Sequence, residues 1–292
     1  MGRLDGRVAI VTGGGRGLGR AHALLLAAEG ASVVVNDLGG DVHGEGQSQT
    51  PAQQVVAEIN AAGGRAAVSG HDVADWEQAA ALVRLAVETF GDLHVLVNNA
   101  GIVRDRFLVN LSEQDWDEVV RVHLKGTFVP TRWAANHWRA QAAAGSRPRG
   151  AVVNTTSTSG LGVNPGQANY GTAKAGVAAF TRSAAAELAR YGVRVNAVAP
   201  LARTRLTESV PALAAAVAAP ADPGAFDEWH PANVSPLVVY LAMEDCPLTG
   251  EVFLAHGGRV QRYEGWSEGP WISRPARWTV AGLAAALPRL TR

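Results

Sequence analysis

Only two lysines occur in the 292 residues, and one of them, Lys174, stands four residues after Tyr170 in Tyr170-Gly-Thr-Ala-Lys174. Arginine carries the positive charge everywhere else apart from Lys125. An ammonium is a compact point charge on a flexible stem, whereas a guanidinium is a planar fork that never deprotonates, so a lysine kept at this spot points to a need for an ammonium. Residues i and i+4 share a helix face, which brings the ammonium close to the phenol. A nearby cation favours phenolate and lowers a tyrosine from its ordinary pKa of about 10. The product is an acid or base usable near neutral pH. An ordinary surface helix also shows Tyr-x-x-x-Lys, so the remaining motifs decide between the two readings.

A second constellation lies near the N-terminus. Val8-Ala-Ile-Val-Thr12 runs into Gly13-Gly-Gly-Arg16-Gly17-Leu18-Gly19 and then into a helical pattern. A strand, a turn of little bulk and a helix N-terminus together offer free N–H groups to a pyrophosphate, although a flexible turn has the same composition. Asp37 follows the second apolar run, eighteen residues beyond Gly19. That is close to the roughly 20 expected of a carboxylate holding the adenosine ribose. It would repel a 2′-phosphate, which favours NAD over NADP; Arg16 argues the other way as a cation able to receive that phosphate. Asp72 and Val73 close the third run, where the aspartate suits either the adenine amino group or a helix entry. Asn98-Asn99-Ala100-Gly101 ends the fourth; the asparagines can satisfy neighbouring backbone, and Ala100 and Gly101 let a flat ring approach the chain.

These residues need a scaffold that brings strand ends together. Apolar runs at Val8–Val11, Ser32–Val35, Ala66–Ser69, Leu93–Val97, Ala151–Asn154, Val193–Val198 and Val252–Ala255 read as strands, several of them buried on both faces. Helical patterns fill the intervals, among them Ser112–Ala144 and Asn169–Arg190. Asp75-Trp-Glu-Gln78 reads as a capping box and Ser112 as an N-cap. The alternation predicts an α/β fold: a single Rossmann-type, doubly wound, parallel seven-stranded sheet flanked by helices. The dinucleotide-binding domain is expected over 1–258, with 259–292 as a C-terminal extension packed on it. Gly39 to Thr50 reads as a surface loop.

Composition narrows the classes. The formal net charge is zero and 47% of residues are hydrophobic, so a large core is available and no electrostatic footprint for nucleic acid or anionic membrane exists. Cys246 is the only cysteine and the eight histidines form no ligand-like pair, so no metal site is expected. Neither a signal segment nor a run of transmembrane length is present, and a soluble cytoplasmic protein is expected.

The set Thr12-Gly13-xxx-Gly17-x-Gly19, Asn98-Asn99-Ala100-Gly101, Ser157, Tyr170-xxx-Lys174 and Asn196-xxx-Pro200 resembles the short-chain dehydrogenase/reductase family from about Leu4 to Gly258. The resemblance implies that Tyr170 is the general acid/base, that Lys174 binds the nicotinamide ribose and lowers the tyrosine, and that Ser157, thirteen residues before Tyr170, hydrogen-bonds the substrate oxygen. It also implies cofactor contacts by Gly13, Arg16, Gly17, Leu18, Gly19, Asp37, Asp72, Val73, Asn99, Ala100, Gly101, Tyr170, Lys174 and Pro200. Two positions depart from the pattern. His123, in Val122-His-Leu-Lys-Gly126, replaces the family's fourth catalytic residue, an asparagine; its imidazole either joins a proton relay or packs and bends a helix. Leu201 follows Pro200 where glycine is usual, which bears on the backbone beside the nicotinamide.

Within the family, Val35-Asn-Asp-Leu-Gly-Gly-Asp41, Val103-Arg-Asp-Arg106 and Gly166-Gln-Ala-Asn-Tyr170 are similar to the (3R)-hydroxyacyl-CoA dehydrogenase domains of peroxisomal multifunctional enzyme type 2, also described as 17β-hydroxysteroid dehydrogenases. The substrate so implied is an acyl-CoA or steroid-like alcohol, with NAD as cofactor and a homodimer or homotetramer as the assembly. A sugar, terpenoid or carrier-protein substrate on the same scaffold is the alternative, and a catalytically silent NAD-binding regulator is a further one. The segment Thr204 to Asp227 and the tryptophan-rich tail are expected to shape the substrate cleft. Ala212 to Ala219 suits either an apolar wall or a plain amphipathic helix, and Arg104 and Arg106 suit either CoA phosphates or solvent.

Overall fold

A computed structural model describes residues 2–204, 215–222, 224–265, 269–275 and 277–290. The chain divides into two units, Met1–Arg262 and Tyr263–Arg292. In the first, Val8–Thr12 (β1), Ser32–Asn36 (β2), Arg65–Ser69 (β3), Val95–Asn98 (β4), Ala151–Thr155 (β5), Arg194–Leu201 (β6) and Val252–His256 (β7) pair in parallel. The strand order is β3-β2-β1-β4-β5-β6-β7, with an eighth strand beyond β7. The order reverses between β1 and β4, and ligands of doubly wound sheets bind at that switch point, outside the carboxyl ends of the strands.

Both faces of the sheet are covered. Helices Gly17–Ala28 (α1), Thr50–Ala61 (α2) and Ser235–Ala242 (α8) bury Leu26, Val55, Ile59 and Leu241 on one side. On the other side, Trp76–Phe90 (α3), Gly126–Ala143 (α5) and Ala168–Leu188 (α7) bury Leu82, Trp138 and Ala184 against Val152 and Val195. Trp138 is fully buried and still satisfies its indole N–H on the Leu93 carbonyl at 2.7 Å, as a buried tryptophan must.

The expected caps form. Asp75 accepts from the Gln78 amide at 2.8 Å, while the Gln78 side chain reaches back to the Asp72 amide at 2.9 Å instead of closing the box on Asp75. Ser112 accepts from the Asp115 amide at 3.1 Å and starts Glu113–Val120 (α4).

Three features differ from the sequence reading. The helix expected over Ser112–Ala144 is interrupted by a wide π turn, Arg121–Lys125, between α4 and α5. Pro130 lies one turn into α5, inside regular α-helix. The sheet also has an eighth strand, Arg259–Tyr263 (β8), joined to β7 by Gly257-Gly258. A two-residue connection can only make an antiparallel hairpin, so the glycine pair read as the end of the sheet is its last turn. This hairpin carries the first unit to Arg262, beyond the expected boundary at 258.

Within 263–292, Val280–Ala286 (α9) is capped by Thr279, which accepts from the Gly282 amide at 3.1 Å. Arg274 lies over the Trp278 ring at 5.6 Å. Trp266 falls outside the described residues.

Candidate active site

A cavity of about 450 Å³ opens at the carboxyl ends of the strands. One end of it is made by the first crossover. Arg16, Gly17 and Leu18 face the cavity; Arg16 is the N-cap residue of α1, yet it makes no side-chain capping bond, and the first turn holds no acidic residue. The first N–H groups of that helix and the positive end of its dipole are therefore left for a ligand, and a pyrophosphate fits them. Asp37 lies alongside, fixed by the Gly15 amide on Oδ2 at 2.8 Å and the Gly39 amide on Oδ1 at 2.7 Å. Arg16 donates to the Gly40 carbonyl at 3.1 Å, which ties it to the 39–49 loop.

Gly13, Asp72, Val73, Asn99, Ala100, Gly101 and Pro200 also line the cavity. Asn99 works as the sequence suggests, donating to the carbonyls of Thr12 at 3.0 Å and Gly13 at 3.1 Å. Asp72 serves helix entry, its Oδ1 accepting from the Ala74 amide, and its Oδ2 accepts from Arg121 Nη1, each at 2.8 Å. Gly19 lies behind the residues that line the cavity. A Cβ there would collide with the Gly13 carbonyl and the Asn99 amide nitrogen, so Gly19 lets α1 pack against the loop and takes no part in the cavity wall. At the break from the family pattern, β6 continues through Pro200 and Leu201, paired with Ala255 and His256.

The other end of the cavity holds Ser157, Tyr170 and Lys174. Ser157 follows β5, and its Oγ accepts the Ser159 amide at 3.2 Å as the N-cap of Thr158–Leu161 (α6). Tyr170 and Lys174 lie one turn apart on α7, with Lys174 Nζ 5.7 Å from the phenol ring centroid. Lys174 is only 3% exposed and donates to the Thr155 carbonyl at 2.6 Å. Burial brings its pKa down to about 7.

The balance at Tyr170 corrects the expectation that Lys174 brings the phenol down. Burial raises it above the ordinary tyrosine value, the hydrogen bond with Ser157 lowers it, and the charge of Asp105 raises it again. The lysine does not offset this, because its own ammonium is weakened by burial and points to the Thr155 carbonyl.

His123 is 2% exposed and sits in the π turn, edge-on to Tyr170. Burial and the Lys174 charge hold its pKa down to about 3. Burial thus favours the neutral imidazole. Its Nε2 lies 3.1 Å from the Ile102 amide and 2.7 Å from the Ile102 carbonyl, and its backbone carbonyl accepts from Thr127 Oγ1 at 2.7 Å. The ring packs where a side chain on Gly101 would otherwise go.

Sequence reasoning missed Asp105, Gln167, Thr155 and Trp229, all of which line the cavity. Asp105 and Gln167 stood inside quoted motifs, and a lone acid beside an expected catalytic tyrosine was the available signal. Arg104 is engaged by the fold, with Asp115 at 3.5 Å, Glu45 at 3.7 Å and the His43 carbonyl at 3.0 Å. The substrate-side wall includes Leu201, Val217 and Trp229, with Trp229 backed by His256 at 4.3 Å. Arg203 bonds Asp227 and the Val217 carbonyl behind this wall. Within the stretch Ala212 to Ala219, residues 212–214 lie outside the described set and 215–217 form a turn. Residues 205–214 and 223 of the expected cleft segment likewise lie outside it.

The short chain dehydrogenase family model matches residues 7–213. The chain belongs to the short-chain dehydrogenase family. It is therefore an oxidoreductase acting on CH–OH groups, and dehydrogenases of this family use nicotinamide cofactors. A crystal structure of a short chain dehydrogenase from Mycobacterium avium superposes with a TM-score of 0.88 at 51% identity, covering 99% of this chain and 96% of that one. Hydroxyacyl-CoA dehydrogenase ChsB1 of Mycobacterium tuberculosis is 45% identical over 264 residues, 88% of this chain and 79% of the relative. Peroxisomal multifunctional enzyme type 2 of Mus musculus is 42% identical over 258 residues, 88% of this chain but 32% of that longer protein. Among the described residues, no helix is long and apolar enough to cross a membrane.

Proposed function

We propose that this short-chain dehydrogenase uses NAD to interconvert a secondary alcohol and a ketone on a 3-hydroxyacyl-CoA or steroid-type substrate. The observation that carries the reading is the layout of one cavity. Ser157, Tyr170 and Lys174 meet at one end, and the uncapped α1 N-terminus and Asp37 lie at the other. A dinucleotide is the kind of ligand that needs both ends.

Gly13, Gly17, Leu18 and the first turn of α1 would hold the pyrophosphate, and Asp37 the adenosine ribose. Asn99, Ala100, Gly101 and Pro200 would flank the nicotinamide half. When bound, the nicotinamide supplies the carbon that accepts or returns the hydride. Tyr170 takes the hydroxyl proton in oxidation and gives it back in reduction. Ser157 holds the substrate oxygen beside the phenol; losing one such donor typically costs about 10²–10³ in rate. Lys174, whose Nζ donates to the Thr155 carbonyl at the floor of the site, would bind the nicotinamide ribose hydroxyls.

NAD is preferred over NADP in this reading because Asp37 is held in the cavity by two backbone amides, while Arg16 is occupied at Gly40. The relatives named for hydroxyacyl-CoA chemistry and the apolar wall of Leu201, Val217 and Trp229 support the substrate class. Half-exposed Trp116 and Phe128, on α4 and α5, support a homodimer or homotetramer formed on these helices.

The test is turnover with NAD and with NADP across 3-hydroxyacyl-CoAs, 17β-hydroxysteroids and simple secondary alcohols. NAD-linked oxidation of a hydroxyacyl-CoA or hydroxysteroid, well above the simple alcohols, is expected. A strong NADPH preference with carrier-protein thioesters would contradict it.

A further inference from the structure

A second cavity, of about 820 Å³, opens among the segments that lead into the strands. Arg3 precedes β1, Arg147 and Arg149 precede β5, Arg194 begins β6, and Thr249 precedes β7. In a parallel sheet these are all amino ends, whereas the cavity of Ser157, Tyr170 and Lys174 opens at the carboxyl ends. The sheet therefore has room for a ligand at each edge. The lining of the second cavity is strongly charged. Four guanidinium groups, of Arg3, Arg147, Arg149 and Arg194, stand against two carboxylates, of Glu244 and Asp245, in the connection from α8 to β7. The chain as a whole carries no net charge, so the excess is local.

The two carboxylates do not satisfy these cations. Glu244 is shared by Arg149 and Arg7, and Asp245 lies 3.7 Å from Arg3. Arg194 Nη1 and Nη2 donate to the Leu241 and Met243 carbonyls at 2.8 and 2.5 Å, which leaves three of its five N–H groups unused. Arg147 has no hydrogen bond or ion pair with any described residue, and its stem lies against Gly192. Arg149 is the one non-glycine among the described residues with positive φ, at 50°, a conformation that glycine or asparagine takes at less cost. Its carbonyl accepts from Arg7 Nη2 at 3.0 Å. Any residue could offer that carbonyl, so what arginine adds here is the guanidinium. Behind Glu244, Arg7 is 6% exposed, and its Nε and Nη1 have no hydrogen-bond partner; Nη1 lies 3.5 Å from Glu244 Oε2. Burial, then the charges of Arg194 and Arg149, bring Arg7 down to about 10, as crowded cations should.

We propose that this cavity binds a small polyphosphate, two or more linked phosphate groups on an inorganic or nucleoside carrier, held by Arg147, Arg149 and Arg194 and separate from the catalytic cavity. A planar guanidinium donates two parallel bonds to a phosphate, which an ammonium cannot do. Four such groups against two carboxylates leave two positive charges for an anion of at least that valence. A concave site of this volume suits a small molecule. An anion placed there also relieves the mutual repulsion of Arg7, Arg149 and Arg194. None of these residues lines the catalytic cavity, so the proposal stands apart from the cofactor and substrate assigned there.

The test is isothermal titration of the protein with sodium tripolyphosphate and, separately, with ADP, at fixed ionic strength and with the dinucleotide kept saturating. Binding of one molecule per chain is expected for at least one of the two, and the tighter of them tells a nucleotide from an inorganic carrier. Arg147→Ser and Arg149→Gly should each weaken it by about tenfold or more, the usual effect of losing a charge-assisted contact. Glycine takes the backbone of residue 149 without strain, and Arg147 holds no described residue, so both variants should fold and turn over like the wild type. Asp245→Asn removes a competing carboxylate and should tighten binding about threefold. Arg259→Ser, on the exposed strand β8, makes the same change in net charge away from the cavity and should leave binding unchanged. Three results would overturn the proposal: no binding of either probe, binding abolished by saturating dinucleotide, or equal weakening by Arg259→Ser, which would reduce it to general charge attraction.

Discussion

His123 meets Tyr170 edge-to-face, with ring centroids 5.0 Å apart and planes at 90°. The contact comes from the π turn, which swings residue 123 under the cavity while Nε2 stays on the Ile102 backbone. With its pKa near 3, the imidazole supports the phenol by packing and does not carry a proton at working pH. His123→Asn should therefore keep kcat/KM within about tenfold of wild type, a barrier change of about 1.4 kcal/mol. The pH profile should stay in place. Profiles of the two enzymes measured side by side check this, and disappearance of a limb in the variant would restore a relay role.

Gly101 and His123 share one space, since a Cβ on Gly101 would fall inside the imidazole's van der Waals envelope. Gly101→Ala is expected to destabilise the fold by about 1–3 kcal/mol, the usual cost of overpacking. Adding His123→Asn should recover part of that loss. A double-mutant cycle by chemical denaturation measures the coupling, and additive losses would show that the ring does not fill the site.

Much of this arrangement could be read from residue types alone. Strands buried on both faces, the glycine turn after β1 and Asp37 at the end of β2 announce themselves through local pattern, and so do the caps at Asp75 and Ser112. The π turn did not, because Val119 to Phe128 looks like ordinary helix. β8 was hidden by its own character: an edge strand with Arg259 to Arg262 exposed has no apolar run to advertise it. The phenol's protonation balance was misread for a third reason. Spacing reported the ammonium four residues away, but not the burial of both groups or the acid brought in from a different loop.

The Gly15 and Gly39 amides both donate to the Asp37 carboxylate and fix its position. Asp37→Ser removes the carboxylate that repels a 2′-phosphate. The NAD-to-NADP ratio of kcat/KM should fall by about 10–100-fold, an effect of about 1.4–2.8 kcal/mol. Steady-state kinetics with both dinucleotides reads the ratio, and an unchanged value would remove Asp37 from cofactor selection.

Acid stability follows from two buried histidines. His22, bonded to Ser235 Oγ at 2.9 Å, is held near pKa 4, and His123 near 3. Both values lie below the ordinary 6.5, so between about pH 6.5 and 4 the unfolded chain binds protons that the folded one does not, and stability rises with pH there. It should be level above about pH 6.5 and fall below it, by up to about 1.4 kcal/mol per pH unit for each histidine. His22→Asn should flatten the decline. Denaturation midpoints from pH 7 to 5 supply the comparison; identical slopes in both proteins would mean that His22 does not titrate on unfolding.

Tyr170 as the proton-transfer group is the centre of the account, and the direct test separates chemistry from binding. In Tyr170→Phe, dinucleotide affinity is followed by nicotinamide fluorescence and hydride transfer by single-turnover absorbance. Affinity should stay within about threefold of wild type, under 0.7 kcal/mol, while hydride transfer drops by at least about 10³, roughly 4 kcal/mol of barrier. Hydride transfer at a near-wild-type rate in that variant would contradict the account.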